Sequence, residues 1–494
     1  MLRAASLPML DPATGLSPAE QIAAHYRGAV ASGTLAPGDR LPPIRAVAEA
    51  LGLTRAVVQS AYRQLVEDKV VRATVGRGTE VLGTAGAAPV RAPIARVALQ
   101  AMHVLERAPC QPQADPSDEL IADFGSLAPD PATMPVDEIA DALRSALRED
   151  GAQLLGYGDP AGHEGLRAAL AARHVDRGLG DRSRVLVTSG AQQGIDLVLR
   201  SLTDPGDAVA VALPTYPQLF GALAAHDLQL VPVPMRGAAL DLDALREVLP
   251  RVRLVYVMPT FHNPTGLTMD LPARRALMDA LGDSDVWLCE DEVECELRID
   301  GEDLPTLQSL DVRDRTVVVR SFSKGLFPGV RLGWIEAAPE WIAPMAALKR
   351  FADIECSPLL QAALLRLIDS GILDRNLATL RDQLREKHRV MQAALQRWMP
   401  ESVRWTTPDG GLSMWVELPS HVDARELARA AARNGVIATP GDIFLPRPHS
   451  SNGLRLALSR VSLAAIDAGV RVLAEHVREA TSPSAPIRSV PLLL

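Results

Sequence analysis

Five short apolar runs, separated by stretches of helical pattern, constrain the fold of this 494-residue chain more than any other feature. They are Val185–Val187, Ala208–Val211, Leu254–Val257, Val286–Leu288 and Thr316–Val319. Such runs have no polar face to turn to water, so both of their faces must be covered. Strands covered on both faces by crossover helices form a mainly parallel α/β sheet, which is the fold expected from about Glu119 onward. In such sheets ligands sit beyond the carboxyl ends of the strands. The residues that follow each run are therefore the first place to look for chemistry.

Hydrophobic residues make up 47% of the chain and charged residues 22%, enough to bury a large core, and the length suits two to four domains. The net charge of −9 gives no global basic field for nucleic acid, which still leaves room for a local DNA-binding module. The four cysteines, Cys110, Cys289, Cys295 and Cys356, form no CxxC pair and have no histidine at metal-ligand spacing. They read as reduced thiols of a cytoplasmic protein, with no metal site. The first residues carry one arginine and no sustained apolar stretch, and no run of 18 apolar residues occurs, so neither a signal peptide nor a membrane span is expected.

Residues 17–82 have a different pattern. Ser17 can cap a helix beginning at Pro18, with Glu20 closing a capping box. A second helix starts near Pro42-Pro43 and ends at Ala50, Gly52 turns the chain, and Thr54 caps a third helix from Arg55 to about Asp68. Two short strands follow, Val70–Val75 and Thr79–Leu82, with Gly76-Arg77-Gly78 at the hairpin tip. This is the pattern of a winged helix-turn-helix. The segment holds eight Lys/Arg and six Asp/Glu, a net of +2 against −9 for the whole chain. The run LPPIRAVAEALG with the Arg after Thr54 resembles the GntR family of regulators. That resemblance implies that the third helix lies in the major groove, with Arg45, Thr54 and Arg55 at the DNA and Arg77 on the wing. Arg in the first turn of such a helix can pair bidentately with guanine. Residues 83–118, rich in Ala, Pro and Gly at first, read as a linker with a helix over Ile94–Arg107.

In residues 119–480 each apolar run leads into a chemically suggestive motif. Ser321-Phe322-Ser323-Lys324-Gly325 follows the fifth run, with Arg331 seven residues after the lysine. Glu290-Asp291-Glu292 follows the fourth, Asn263-Pro264-Thr265-Gly266 the third, Tyr216 the second, and Ser189-Gly190-Ala191-Gln192 the first. Together these resemble fold-type I aminotransferases, which hold pyridoxal 5′-phosphate (PLP) and have a mainly parallel central sheet plus a smaller C-terminal subdomain. The resemblance implies that Lys324 carries PLP as a Schiff base, and that Ser321, Arg331, Ala191 and Gln192 bind its phosphate. It places Asp291 at the ring nitrogen, Asn263 at the 3′-oxygen and Tyr216 on the ring face. Tyr157, in Tyr157-Gly158-Asp159-Pro160, matches a tyrosine that reaches the phosphate in the other subunit, which implies a homodimer. Arg455 matches the arginine that grips a substrate α-carboxylate. Many relatives have a tyrosine two or three residues after the aspartate, where this chain has Val293 and Glu294.

A GntR-like head, a linker and an aminotransferase-like domain together resemble the MocR subfamily of transcription regulators. The function expected from this is DNA binding controlled by PLP or by an amino-acid-like effector that reacts at Lys324. The alternative is a working aminotransferase that acts on an amino acid and a 2-oxo acid.

Overall fold

The computed structural model describes residues 17–31, 38–74, 78–82, 120–173, 181–446 and 450–482, with 7, 8, 10 and 35 besides. They belong to two compact units, residues 1–98 and 99–494. The expected linker and its Ile94–Arg107 helix lie outside the described residues, as does Arg77.

The first unit contains helices α1 (Pro18–Ala31), α2 (Ile44–Ala50) and α3 (Arg55–Glu67), then strands β1 (Val71–Thr74) and β2 (Gly78–Val81). The strands pair antiparallel from Val71↔Val81 to Thr74↔Gly78. The capping box at the start of α1 forms: Glu20 N donates to Ser17 Oγ at 3.3 Å, and Ser17 N donates to Glu20 Oε2 at 2.8 Å. Ile22, Tyr26, Val58, Tyr62 and Leu65 bury the seam between α1 and α3. The Tyr62 hydroxyl donates to the Pro42 carbonyl at 2.8 Å, which fixes the start of α2 against α3. Thr54 takes the N-cap position of α3, but its hydroxyl makes no capping bond, contrary to expectation.

In the second unit, β3 (Ala122–Asp123) leads into β4 (Val185–Thr188), β5 (Ala208–Leu213), β6 (Gln229–Arg236), β7 (Ala239–Leu240), β8 (Leu254–Val257), β9 (Trp287–Asp291), β10 (Thr316–Ser321) and β11 (Gly333–Glu336). These last eight form one sheet in the order β4-β11-β10-β9-β8-β5-β6-β7. The five apolar runs become β4, β5, β8, β9 and β10. Pairing from β6 through β10 is parallel, while β11 lies antiparallel between β10 and β4. Beyond it β12 (Arg404–Trp405), β13 (Ser413–Glu417), β14 (Val436–Ile437), β15 (Thr439–Pro440) and β16 (Gly453–Ala457) follow. Of these, β12-β13-β16-β15 make an antiparallel sheet and β14 pairs with β3. The helices Ala424–Ala432 and Leu463–Thr481 cover this smaller sheet over its own apolar core. No helix among the described residues is long and apolar enough to cross a membrane.

A buried ion pair explains why a strand containing a glutamate can enter the middle of the sheet. Arg320 in β10 pairs with Glu336 in β11, Nε to Oε1 at 2.9 Å, and both side chains are 1% exposed. The Trp334 indole also donates to Glu336 at 2.7 Å, and Arg320 Nη1 donates to Cys295 Sγ at 2.8 Å. Removing one member of such a pair strands the other in a dry interior. Arg320→Met is therefore expected to cost about 3–5 kcal/mol of stability. Arg320→Met combined with Glu336→Leu should cost clearly less, and urea unfolding of the two proteins checks the order.

Candidate cofactor site and DNA-reading head

Five strands of the large sheet end around one cavity of about 320 Å³. Ala191, Gln192, Tyr216, Asn263, Asp291, Ser321, Lys324 and Arg331 all line it. Eight of the nine residues expected at the cofactor thus converge, Tyr157 being the exception. Asp291, the last residue of β9, is buried, and burial pushes its carboxyl up to about 6. Two donors oppose that rise: the Tyr256 phenol at 2.5 Å from Oδ2, and Val293 N at 3.2 Å from Oδ1. Tyr256 stands opposite Cys289 in the β8–β9 register, so Asp291, two residues further on, shares its face.

The helix Ala191–Leu202 starts at the cavity, and its first amides point outward from its N-terminus. Its N-cap, Gly190, has φ +81, and a Cβ there would lie 2.8 Å from Arg331 Nη2. Arg331 itself sits in the left-handed region at φ +49 and donates to the Ser189 carbonyl at 3.0 Å. Ser321 Oγ accepts from Ser323 N at 3.1 Å. Helix amides, a guanidinium and a hydroxyl packed this closely could hold an anion such as a phosphate. The Tyr216 hydroxyl donates to Gln192 Oε1 at 3.1 Å, and burial pushes its phenol up to about 12.

Lys324 Nζ donates to the Leu127 carbonyl at 3.1 Å. Burial pulls its amine below the ordinary lysine range, Glu294 opposes that most strongly, and Asp291 adds to the opposition. Glu294 also lines the cavity and accepts from Leu412 N at 2.9 Å. Arg455 in β16 is buried behind Asn263, to whose Oδ1 its Nη1 donates at 3.3 Å. Its Nη2 donates to the Gly125 carbonyl at 2.7 Å and to Thr439 Oγ1 at 3.1 Å, and its buried Nε has no hydrogen-bond partner among the described residues. Burial lowers this guanidinium to about 10, which leaves it cationic at neutral pH. Arg455 adjoins the cavity without lining it. Tyr157 does not join the site of its own chain, since it is 85% exposed.

Sequence reasoning missed Tyr256 and the role of Glu294. Tyr256 was visible as the one residue with a polar tip inside a run buried on both faces. Glu294 was visible as one more acid just beyond Asp291. In the first unit, Arg45, Thr54 and Arg55 are all exposed, and Arg55 opens α3. The Thr54 hydroxyl and the first amides of α3 are thus free for an outside acceptor.

Residues 18–81 match the family "Bacterial regulatory proteins, gntR family", and residues 125–473 match "Aminotransferase class I and II". The HTH-type transcriptional regulator TauR of Rhodobacter capsulatus is 30% identical over 91% of this chain and 94% of its own length. The probable rhizopine catabolism regulatory protein MocR of Rhizobium meliloti is 29% identical over 85% of both chains. The chain belongs to the MocR subfamily of GntR-type regulators. The fold of this MocR-type protein has a solved neighbour in a kynurenine aminotransferase from Pyrococcus horikoshii, with a TM-score of 0.70 and 31% identity over 74% of this chain and 92% of that one. Its aminotransferase-like domain is a PLP domain, and the site fits that cofactor. A buried carboxylate faces the cavity, and at Gly190 even a Cβ would crowd the guanidinium of the anion cradle.

The MocR-type site makes two predictions. Gly190→Ala should weaken PLP binding by about tenfold or more, through backbone strain and displacement of Arg331. Gly206→Ala puts a Cβ at φ +95 into open space and should leave affinity unchanged; absorbance titration with PLP compares the two. The second concerns pH. A protonated ring nitrogen binds the ionised form of Asp291, so affinity is full above about pH 6, where that form already prevails. Below it a proton must first leave, and affinity should fall by about tenfold per pH unit. Asp291→Asn should flatten that slope.

Proposed function

We propose that this regulator senses an amino-acid-like effector at the PLP site and passes the signal to DNA as a homodimer in the cytoplasm. The observation that carries this reading is the presence in one chain of a cavity lined by Lys324 and seven other residues expected at the cofactor, and of an exposed Arg55 at the start of α3. When bound, PLP supplies an aldehyde that condenses with primary amines and a ring that withdraws electrons. Lys324 holds it covalently. Asp291 keeps its ring nitrogen protonated by placing a negative charge beside it. Tyr216 would stack on the ring, Asn263 would meet the 3′-oxygen, and Ser321, Arg331 and the amides of Ala191 and Gln192 would hold the phosphate. An effector amine competes for the position of Lys324, and its carboxylate meets the Arg455 guanidinium. In the head, Arg55 reads a base edge, while Arg45, Thr54 and Arg77 bind phosphates or groove edges.

The surface of the second unit favours a dimer. Leu155, Tyr157 and Phe351 are 72%, 85% and 89% exposed. Gly158 N donates to Glu355 Oε2 at 2.5 Å, which brings the Tyr157 loop beside the segment that carries Phe351. A second copy would cover this apolar patch and receive Tyr157 at its phosphate cradle. Coupling to DNA requires that the effector bind one arrangement of the two heads better than another.

The test is a gel shift on DNA from just upstream of the protein's own gene, with and without PLP. Wild type should give a competitor-resistant shift that changes with PLP. Arg55→Ala should bind about 10–100-fold more weakly while keeping the PLP absorbance. Lys324→Ala should bind DNA but lose the response to PLP. Steady product formation from an amino acid and a 2-oxo acid, with no specific shift, would favour the aminotransferase reading instead.

A further inference from the structure

The cavity holds a carboxylate that the functions assigned above do not use. Glu294 is buried, lines the same cavity as Lys324, and spends only one oxygen, Oε2, on a backbone amide, that of Leu412. Its other oxygen has no hydrogen-bond partner among the described residues. A largely buried carboxylate with one oxygen turned to a cavity is costly unless a cation is at hand. Two cations act on its charge, Lys324, which lines the same cavity, and Arg455, which lies behind Asn263 of that lining. Arg455 is already engaged by Asn263, Gly125 and Thr439. Among the described residues the Lys324 amine has one hydrogen-bond partner, the Leu127 carbonyl.

We propose that Glu294 and the Leu127 carbonyl form a docking position for Lys324 whenever an amine has displaced it from the cofactor. This rests on the regulator reading above and adds to it a reason why the site retains an amine instead of consuming it. In the exchange, the carbon–nitrogen double bond to Lys324 Nζ breaks as one to the effector nitrogen forms. Each double-bonded nitrogen carries one proton and one positive charge, and two of the three protons on the effector ammonium pass to Nζ, so charge and atoms balance without any further reagent. Lys324 leaves as an ammonium, and Glu294 stabilises it. An ammonium has no lone pair with which to take a proton from the effector. Glu294 is thus a positioning residue that acts through Lys324, and the charged groups facing that amine are Glu294, Arg455 and Asp291.

The test uses the full-length protein stripped of cofactor. Acylation of Lys324 by acetic anhydride, followed by peptide mass spectrometry, reports the pH at which the amine loses its proton. Glu294→Gln can still accept from Leu412 N but carries no charge. It should lower that midpoint by about one pH unit or more, and Glu294→Asp should largely restore it. In the PLP-loaded protein, Glu294→Gln should weaken the spectral response to added amino acids by about tenfold at a fixed pH below the wild-type midpoint. A midpoint and an amine affinity that match wild type in a folded Glu294→Gln protein would overturn the proposal. Failure of wild type to take up PLP or to shift DNA would count against the regulator reading, while the acylation midpoint would still decide the role of Glu294.

Discussion

Burying a carboxylate at the end of a parallel strand costs free energy, and the cofactor site depends on how that cost is met at Asp291. Tyr256 offsets part of it from the neighbouring strand, and the Val293 amide offsets more. The remainder leaves the carboxyl near 6, poised to gain from a cation placed in the cavity. Under the proposed reading the ring nitrogen of PLP would be such a cation, and it would offset part of the cost of burial.

The sheet brings the other groups to the same place by simple means. Its strands end together, so residues just beyond β4, β5, β8, β9 and β10 become neighbours although they are far apart in the chain. The antiparallel β11 adds a second function. It returns the chain from the Lys324 loop past Arg331 and sets the start of the helix Ala191–Leu202 against that arginine, through β4. Arg320 and Glu336 make this return compatible with a dry interior.

Much of this was legible from sequence, for a physical reason. Strands covered on both faces need a mainly apolar run, and the five that carry the site contain the five such runs, although β9 ends in Glu290-Asp291 and β10 ends in Arg320-Ser321. The strands that escaped notice break that pattern. In β6, Pro232 and Pro234 argue against a strand, yet Asp241 N donates to the Pro234 carbonyl, so the prolines face the two-residue β7, where few donors are needed. In β11 a glycine and a glutamate hid the pattern, because the partner that neutralises Glu336 lies on another strand. Glu294 escaped for a similar reason: an acid after a strand looks solvated until the chain around Leu412 folds over it.

The position of β11 also orders events during synthesis. Strand β4 joins the sheet only through β11, with Thr188 opposite Gly333. A ribosome that has delivered everything up to Lys324 has therefore made all of the eight expected residues that line the cavity except Arg331, yet β4 and the helix start beside it have no strand to pair with. The pairings of the head lie wholly within residues 17–82 and are complete long before that. A growing chain can thus present a reader of DNA well before it can hold the cofactor that is meant to govern it, and only the finished chain brings the two together.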